Sequence, residues 1–550
     1  MQKKTLKIHP SDNVIVALKD LTAGTVLALE EGNVTLREDI PTKHKFAAQN
    51  FAIGETIIMY GVTVGKAQVP IKSGERISTE NVVHASAEYS LEGERPQWQA
   101  PDTSAFAQRH FMGYHRADGK VGTRNYWLVI PLVFCENRNI EVIKASMLEK
   151  LGYATEREYA INIDQLIERF QQGAGADELL ETEVIQSSND IQRNRLFPNI
   201  DGIKFLTHEG GCGGIRQDSE ALCRLFAGYL THPNVAGATV LSLGCQNAQP
   251  KLLRAAIASM DPQFDKPLYL LEQQGSSSER AFIAEAVKKT FVGLTIANQH
   301  NRQEAPLSKL VLGLECGGSD GFSGLSANPA LGYAADMLVG LGGAAVLAEF
   351  PELNGVEQEL INRCANSEQA EKFARLMKTY AQRVQEAGSS FAMNPSPGNI
   401  KDGLITDAMK SAGAAKKGGT SPVVRVLDYT EQVQHAGLHL LCTPGNDVES
   451  TTGLAGSGAN LIVFTTGLGT PTGNPISPTV KMASNTALAT QMPDLIDINA
   501  GTIISGEDTI ESKGAALLEL LIQVANGAVR TRAEQLGQDD FIPWQRGISL

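Results

Sequence analysis

The sequence predicts a small all-β domain followed by two α/β domains with largely parallel sheets. In the first 92 residues, short apolar segments meet at glycines, and from residue 110 onward apolar runs alternate with segments long enough for helices. The boundaries that follow are 1–92 for the β-domain, 93–109 for a linker, 110–300 for an α/β domain with an insertion at about 154–200, and 301–550 for a C-terminal α/β domain.

One short unit occurs three times in the β-domain. Leu21–Val26, Phe51–Ile57 and Ile71–Ile77 each place a glycine between apolar residues, as a tight turn between two short strands requires. Residues 93–109 are polar, contain two prolines and show neither helical nor strand periodicity, which is typical of a linker.

Apolar runs and helix-length segments then alternate along the rest of the chain, which favours βαβ units and parallel sheets. The predicted strands are Tyr126–Phe134, Ile203–Thr207, Ala238–Leu243, Lys309–Leu314, Ala344–Ala348, Val423–Leu427, Leu438–Leu441, Leu461–Phe464 and Leu495–Ile498. The predicted helices lie near 140–151, 218–230, 248–260, 329–341 and 508–526.

Charge and composition restrict the class of partner. Lys and Arg number 48 and Asp and Glu 61, a net charge of −13, which argues against nucleic acid and anionic membranes. No apolar run reaches the ~18 residues of a spanning helix, and the first residues lack the apolar core of a signal peptide. Seven cysteines in a long chain do not indicate a disulfide framework, so we expect a cytoplasmic protein. The expected partners are a small molecule and a second copy in a homo-oligomer, such as a dimer.

Four cysteines occupy one kind of position. Cys135, Cys212, Cys245 and Cys316 each come just after the end of a predicted parallel strand. Ligands bind at that edge of open α/β sheets, and thiolates are soft ligands for iron or zinc. The alternative is that they pack as small apolar residues.

The loop His208-Glu-Gly-Gly-Cys212-Gly-Gly combines an imidazole, a thiol and four glycines. The glycines disfavour a helix and let the backbone approach a ligand closely. His208 and Cys212 would then share one metal ion. A surface histidine in a structural turn is the alternative.

The segment from Glu315 to Gly324 carries the strongest signal for chemistry. It holds Glu315, Cys316, Ser319 and Asp320 within a glycine-rich loop, which offers N–H groups to an anion and acid/base groups to a substrate. Glu349 and Glu352 flank Pro351 just after the next predicted strand. One of them, with Glu349 preferred, is a candidate base or metal ligand, and solvated turn glutamates are the alternative.

Further polar loops contain Asn446 and Asp447. The stretch Gly467–Gly473 does not match the dinucleotide fingerprint, so an oxidoreductase that uses a nucleotide is a weak alternative.

These motifs resemble the altronate/galactarate dehydratase family of sugar-acid hydro-lyases. The most specific match is Glu315–Pro329, supported by Arg116–Asn125, the loops around Cys212 and Cys245, Asn394–Asn399 and Pro478–Lys481. Ile8–Val14 and Lys43–Lys45 are similar to the family's antifreeze-like (SAF) β-clip domain. The altronate branch is the closer match because of Pro444–Asp447.

The resemblance implies a lyase that removes water from an aldonate or aldarate and requires divalent iron or manganese. D-altronate would give 2-dehydro-3-deoxy-D-gluconate in hexuronate breakdown. Galactarate or another sugar acid is the alternative substrate. An iron–sulfur cluster is the alternative cofactor, and a non-catalytic sugar-acid sensor is the alternative function.

The resemblance and the motifs together indicate three kinds of site residue. The catalytic candidates are His44, Glu315, Asp320 and Glu349. The substrate-binding candidates are Lys45, Arg124, Ser319, Asn446, Asp447 and Lys481. The candidate metal ligands are His208, Cys212, Cys245 and Cys316, with Cys135 and His9 as further candidates.

Polar residues of the β-domain predict that it docks on the α/β site. His9, Asp12, His44 and Lys45 fall at strand ends and turns, apart from the apolar residues that fill its core. We therefore expect the domain to cover the site and to supply polar groups to it. A separate module with solvated charges is the alternative.

Overall fold

The computed structural model describes residues 3–29, 32–93, 95–154, 159–187 and 194–550. Parts of the predicted insertion (155–158 and 188–193), one linker residue (94) and residues 1, 2, 30 and 31 of the β-domain lie outside the described residues. Over the described part, the predicted fold class is confirmed: small antiparallel sheets come first and parallel sheets follow.

The N-terminal domain consists of short antiparallel strands in the sheet orders β1-β2-β5, β3-β4 and β6-β7-β8. They are β1 (Thr5–Leu6), β2 (Val14–Ala17), β3 (Val26–Leu29), β4 (Gly32–Thr35), β5 (Lys45–Ala47), β6 (Thr56–Met59), β7 (Val62–Ala67) and β8 (Val82–Val83). The glycine turns predicted from the repeated unit are present, since Gly24, Gly54 and Gly74 have φ of 79°, 84° and 85°. At Gly74 a Cβ would lie 2.1 Å from the Thr35 carbonyl oxygen, so the turn requires glycine.

The second domain is built on a parallel sheet in the order β14-β11-β15-β16, here called the small parallel sheet. Its strands and those of its neighbours are β9 (His110–His115), β10 (Val121–Gly122), β11 (Tyr126–Pro131), β12 (Tyr159–Ile161), β13 (Ile185–Ser187), β14 (Gly202–Phe205), β15 (Val235–Ser242) and β16 (Leu268–Glu272). The helices are α1 (Asn137–Met147), α2 (Asp164–Gln171), α3 (Ala176–Leu180), α4 (Arg216–Thr231), α5 (Pro250–Met260) and α6 (Glu279–Ala297). The predicted insertion contains α2, α3 and the antiparallel pair β12–β13.

The C-terminal domain contains a parallel sheet in the order β20-β21-β19-β18-β22-β23-β24, here called the large sheet. The strands are β17 (Gln303–Pro306), β18 (Val311–Cys316), β19 (Ala344–Leu347), β20 (Val423–Leu427), β21 (Gly437–Leu441), β22 (Leu461–Thr466), β23 (Thr479–Ala483) and β24 (Ile498–Asn499). The helices are α7 (Ala327–Gly340), α8 (Glu357–Arg363), α9 (Ser367–Glu386), α10 (Pro397–Lys401), α11 (Asp407–Ala414), α12 (Asp447–Gly456), α13 (Thr486–Gln491), α14 (Gly501–Ser505), α15 (Ile510–Ala525) and α16 (Arg532–Leu536). β17 pairs with β9 and so connects the last two domains.

Sequence reasoning missed β16 and β23. In β23 the polar residues Thr479 and Lys481 interrupt the apolar pattern although every residue of the strand is buried. In place of the strand predicted at Leu495–Ile498, the structure has the two-residue strand β24 at Ile498–Asn499. Leu495 and Ile496 instead pack in a small cluster with Leu488. None of the described helices is long and apolar enough to cross a membrane.

The N-terminal domain packs on the C-terminal domain through a shared apolar core. Phe322 and Leu325, which follow β18, and Leu404 and Met409 lie in the same buried cluster as the core residues of the β-domain. Burial of apolar side chains from both domains in one core stabilises their contact, because each would otherwise expose that surface to water. The β-domain is therefore fixed beside the carboxyl edge of β18.

A buried ion pair holds the second domain to the C-terminal segment. Arg124 Nε lies 2.8 Å from Glu534 Oε1 and its second guanidinium nitrogen lies 3.0 Å from Glu534 Oε2. The remaining nitrogen donates to the carbonyl oxygens of Thr123 and Val524. The candidate role of Arg124 in binding a substrate carboxylate has no support from this placement, because its donors are used inside the protein.

Replacement of Arg124 by Met should lower the free energy of unfolding by about 3–5 kcal/mol, because it leaves the Glu534 carboxylate buried without a partner. Urea denaturation measures this change. Burial raises the pKa of Glu534, but the Arg124 charge lowers it to about 2, below the ordinary value of 4.5. The stabilisation is thus present above pH 4.5 and is lost as the pH falls toward 2.

Arg109→Met, which removes an exposed pair with Glu519, should change stability by less than about 1 kcal/mol. An unchanged stability with a raised KM would contradict the structural role.

Candidate active site

The carboxyl edge of the large sheet gathers acidic side chains from three neighbouring strands. Glu315 and Cys316 end β18, Glu349 follows β19, and Asp447 begins α12 just after β21. Carboxyl ends of adjacent parallel strands meet at one edge, which is the usual ligand-binding edge of such sheets. We call these residues, with the neighbouring Glu352, Lys410 and Lys417, the acid cluster.

Lys417 lies at the centre of one side of the acid cluster. Its ammonium nitrogen is 2.8 Å from Cys316 Sγ, 2.6 Å from Glu349 Oε2 and 3.9 Å from Glu352 Oε2. The Cys316 thiol lies 3.1 Å from Glu352 Oε2, and Lys410 lies 2.7 Å from the other oxygen of Glu352. Burial alone would lower the pKa of Lys417, but the surrounding thiol and carboxylates raise it, so the ammonium stays charged.

The other side of the acid cluster consists of three carboxylates. Oxygens of Glu315, Glu349 and Asp447 all lie within 4.8 Å of one another. Ser450 donates to Glu315 Oε2 at 2.7 Å, while Oε1 of Glu315 and Oε1 of Glu349 are buried and have no hydrogen-bond partner in the described structure. A shared proton or a bound cation between these oxygens would satisfy both.

Burial and mutual repulsion perturb these carboxyl groups. The pKa of Glu315 is raised well above its ordinary value by burial and then by Glu349, and burial with the charges of Glu349 and Glu352 raises the pKa of Asp447 to about 7. Such shifts are typical of functional sites. Glu349 also has a left-handed backbone with φ of 65°, held by a 2.8 Å hydrogen bond from its N–H to Thr443 Oγ1. A non-glycine residue in this conformation stores strain of about 1–3 kcal/mol.

The acid cluster fits a divalent cation. Fully ionised, its carboxylates (Glu315, Glu349, Glu352 and Asp447) outnumber its ammonium groups (Lys410 and Lys417) by 4 − 2 = 2 charges. Carboxylate oxygens suit hard and borderline cations such as Mn²⁺ or Fe²⁺, and the two unpartnered buried oxygens offer ligand positions. Lys417 already occupies the side that contains the thiol, so Glu315, Glu349 and Asp447 form the side that is open to a cation.

The N-terminal domain contributes lysines rather than the predicted histidine to this edge. Lys43 Nζ lies 3.0 Å from Asp320 Oδ2 and 3.0 Å from Asp402 Oδ2, and Lys45 donates to the Gly403 carbonyl oxygen at 2.7 Å. Burial lowers the pKa of Lys45 to about 7 in spite of Asp320, so about half of it is neutral at neutral pH. A buried lysine of this kind is a suitable general base.

Asp320 connects the two domains at the end of the glycine-rich loop. Ser323 and Ser484 donate to its Oδ1 at 2.9 and 2.7 Å, and Asn485 donates to its Oδ2 at 3.0 Å. A Cβ on Gly467 would lie 2.3 Å from the Asp320 carboxyl carbon. Glycine at position 467 therefore allows its loop to lie close to the loop of Asp320. Asp320 is therefore fixed as the partner of the Lys43 ammonium.

His44 and His9 are not brought to the acid cluster. His44 Nε2 lies 3.1 Å from the Lys401 carbonyl oxygen at the domain contact, and burial lowers its pKa. His9 is exposed and its Nδ1 lies 2.7 Å from Ser11 Oγ. His9 is thus part of a local turn in the β-domain and does not join the thiols as a ligand.

The predicted four-ligand metal site does not form. Cys316 lies in the large sheet, whereas His208, Cys212 and Cys245 follow strands of the small parallel sheet. His208 is buried, its Nε2 lies 2.8 Å from the Pro131 carbonyl oxygen, and its Nδ1 accepts the Gly210 N–H at 2.9 Å. Both ring nitrogens therefore have backbone partners, and His208 shapes its loop instead of binding a metal.

The remaining substrate-binding candidates have varied surroundings. Lys481 is buried, donates to the Thr472 carbonyl oxygen and lies 4.8 Å from the centre of the Phe464 ring, and burial lowers its pKa to about 8. Asn446 is exposed and caps α12 through bonds to Val448 and Glu449 N–H. Ser319 is buried in the loop after Cys316.

Sequence reasoning missed Lys43, Glu352, Lys410 and Lys417. The segment Lys416-Lys417-Gly418-Gly419 resembles the other polar glycine loops, but nothing in its pattern shows that its lysine is buried. Of the pair Glu349 and Glu352, the sequence pattern assigns only Glu349 to the site. Long-range contacts of this kind connect residues about a hundred positions apart, such as Cys316 and Lys417, and leave no periodic signal.

Three family models match successive parts of the chain. They describe an altronate/galactarate dehydratase SAF domain at 3–85, a D-galactarate dehydratase/altronate hydrolase second domain at 113–298, and a D-galactarate/altronate dehydratase C-terminal domain at 307–549. The altronate dehydratase of Escherichia coli K12 is 32% identical over 545 residues, 99% of each chain. The chain belongs to the altronate and galactarate dehydratase family.

Other relatives agree with this membership. The altronate dehydratase of Bacillus subtilis 168 is 33% identical over 525 residues, which cover 96% of this chain and 95% of the relative. The galactarate dehydratase (L-threo-forming) of E. coli K12 is 32% identical over 541 residues, 97% of this chain and 94% of the relative. The protein is therefore an enzyme of the hydro-lyase class, as the resemblance implied.

Thiol reactivity should distinguish the two sheet edges. Cys135, Cys212 and Cys245 are exposed and the other four cysteines are buried, so a disulfide reagent should titrate three thiols rapidly in native, metal-stripped protein and all seven after unfolding. Alkylation followed by peptide mass spectrometry identifies the fast thiols. Fast labelling of Cys316 would contradict its burial beside Lys417.

Proposed function

We propose that this dehydratase converts D-altronate to 2-dehydro-3-deoxy-D-gluconate in hexuronate breakdown, with the acid cluster as its active site. The observation that supports this most is the buried group of perturbed carboxylates at the start of the loop whose Asp320 binds Lys43 of the docked β-domain. The two altronate dehydratases of E. coli and B. subtilis support altronate as the substrate, and the galactarate dehydratase of E. coli supports galactarate as the alternative.

Dehydration of a 2,3-dihydroxy acid removes the proton on C2 and the hydroxyl on C3. The C2 proton is weakly acidic because the neighbouring carboxylate is already negative. Lys45, with its lowered pKa, takes this proton, and the same group returns a proton to the hydroxyl that leaves as water. The enol product then becomes the 2-keto-3-deoxy acid. Hydrogen and hydroxide leave together, so no oxidant or nucleotide is required.

The charged Lys43 is the group that holds the substrate carboxylate. Burial lowers its pKa, but Asp320 and Asp402 outweigh that effect and raise it, so Lys43 stays charged. The side chain is partly open to solvent, at 16% exposure, unlike the fully buried Lys45. If the carboxylate of the substrate replaced Asp320 or Asp402 as the partner of Lys43, C2 of the substrate would lie toward the neighbouring Lys45.

Glu315, Glu349 and Asp447 would hold the divalent iron or manganese. Such a cation supplies Lewis-acid stabilisation to the enediolate that forms when C2 loses its proton. Asp447 is the member of this trio that reaches solvent, beside the exposed Gly445 and Asn446. The protein's own task at this position is to keep three carboxylates together in a buried, strained arrangement, with Lys417 balancing the opposite side.

We also propose that the enzyme acts in the cytoplasm as a homo-oligomer. All seven cysteines are free, which fits a reducing compartment. Exposed apolar side chains on α6, Phe291, Val292 and Ile296, offer a surface for a second copy.

The proposed reaction is tested by incubating metal-loaded protein with a panel of aldonates and aldarates and measuring the 2-keto-3-deoxy acid formed. We expect D-altronate to react fastest and galactarate more slowly. A chelator should abolish activity, and ferrous iron or manganese should restore it. Glu349→Gln should lower kcat by about 10²-fold or more, because it removes one charged ligand and the carboxylate nearest to Lys417. Faster turnover of galactarate would reverse the substrate assignment, and full activity in metal-free protein would rule out the cation.

Lys45→Met should lower kcat by about 10²–10⁴-fold, the range of a lost general base. In the unaltered enzyme kcat/KM should rise with pH through about 7, because Lys45 is active only after it loses its proton. Lys66→Met, which removes an exposed lysine of the same domain, is the matched control and should leave kcat unchanged. A large loss in His44→Ala with little loss in Lys45→Met would assign the base to His44 instead.

A further inference from the structure

Three exposed cysteines lie at the carboxyl edge of the small parallel sheet, in a domain that the proposed reaction does not use. Cys135 follows β11, Cys212 follows β14 and Cys245 follows β15, and these strands are neighbours in the order β14-β11-β15. All three are exposed, whereas Cys223, Cys316, Cys364 and Cys442 are buried. Free cysteine is ordinarily among the most buried residue types, so three exposed thiols at one edge require an explanation other than packing.

The loops that hold these thiols are joined through the backbone. Phe134 N–H donates to the Gly210 carbonyl oxygen at 3.1 Å, and Asn247 and Ala248 N–H donate to the Gly211 carbonyl oxygen at 3.0 and 3.1 Å. Gly211 has φ of 97°, and a Cβ there would lie 2.2 Å from the Leu132 carbonyl oxygen. The loop of Cys212 is thus fixed against the loops of Cys135 and Cys245, which brings the three thiols to one edge of the sheet.

The spacing of the sulfur atoms favours a polynuclear centre. The strand order and the backbone hydrogen bonds between the loops bring the three thiols to one edge of the sheet. Their sulfur atoms are nevertheless not all within 4.8 Å of one another. Thiolates on a single tetrahedral ion with metal–sulfur bonds of about 2.3 Å lie only about 3.8 Å apart. Thiolates around an iron–sulfur cluster are more widely separated, because each binds a different iron.

We propose that Cys135, Cys212 and Cys245 bind a [4Fe–4S] cluster through three thiolates. The described residues of this edge offer no fourth thiol, and both nitrogens of His208 are already bonded to the backbone. One iron would therefore lack a cysteine ligand and would take an oxygen donor such as water. This site is separate from the acid cluster, since Cys316 belongs to the large sheet and is bonded to Lys417.

The test is reconstitution of the full-length chain under anaerobic conditions with ferrous iron and sulfide, followed by desalting and assays of iron, acid-labile sulfide, visible absorption and electron paramagnetic resonance. We expect about four iron atoms and about four sulfides per chain at this site, with the broad visible absorption of a cluster. Cys135→Ser, Cys212→Ser and Cys245→Ser should each reduce bound sulfide at least about fourfold, and loading should protect these thiols from alkylation.

Matched variants keep the result interpretable. Cys223→Ala removes a buried thiol from the same domain and should retain the cluster, and circular dichroism checks that every variant is folded. Glu349→Gln should also retain the cluster while it loses dehydration, so failure of the cluster and failure of the proposed function are distinguishable. Iron bound without sulfide, sulfide at background in the unaltered protein, or an undiminished cluster in the triple Cys→Ser variant would each overturn the proposal.

Discussion

The contact of Lys417 with Cys316, Glu349 and Glu352 is the interaction on which the acid cluster at the edge of the large sheet depends. Each of these groups is buried, and moving a charged group out of water costs several kcal/mol even in a real protein. The ammonium offsets that cost only from its central position, 2.6 and 2.8 Å from two partners. The segment that carries Lys417 and the preceding α11, which carries Lys410, must therefore pack against the ends of β18 and β19.

That packing also determines where the N-terminal domain can lie. Phe322 and Leu325 follow directly after the loop of the acid cluster and belong to the apolar core of the β-domain, together with Leu404 and Met409. Asp320 lies between the loop and this core and accepts the Lys43 ammonium. The acid cluster and the domain contact thus lie at the two ends of one ten-residue segment, Cys316 to Leu325.

Sequence patterns predicted the features that are local or periodic. Glycine turns at Gly24, Gly54 and Gly74 and most of the strands of the two parallel sheets follow from residue spacing, and strand ends correctly placed Glu315 and Glu349 together. Patterns could not show that Cys316 and Cys212 lie at the edges of different sheets, because strand order and domain membership depend on contacts between distant parts of the chain. They also could not show that backbone groups already occupy both nitrogens of His208, or that Arg124 is paired with Glu534.

The two sheet edges offer ligands of opposite chemical character. The open side of the acid cluster presents carboxylate oxygens, which suit manganese and ferrous ions, while the small parallel sheet presents thiols, which suit softer centres. A thiol is present in the acid cluster too, but Lys417 lies against Cys316 and keeps a positive charge where a soft cation would otherwise bind. The lysine therefore does more than balance charge: in the proposed function, a divalent cation at the acid cluster would have oxygen ligands.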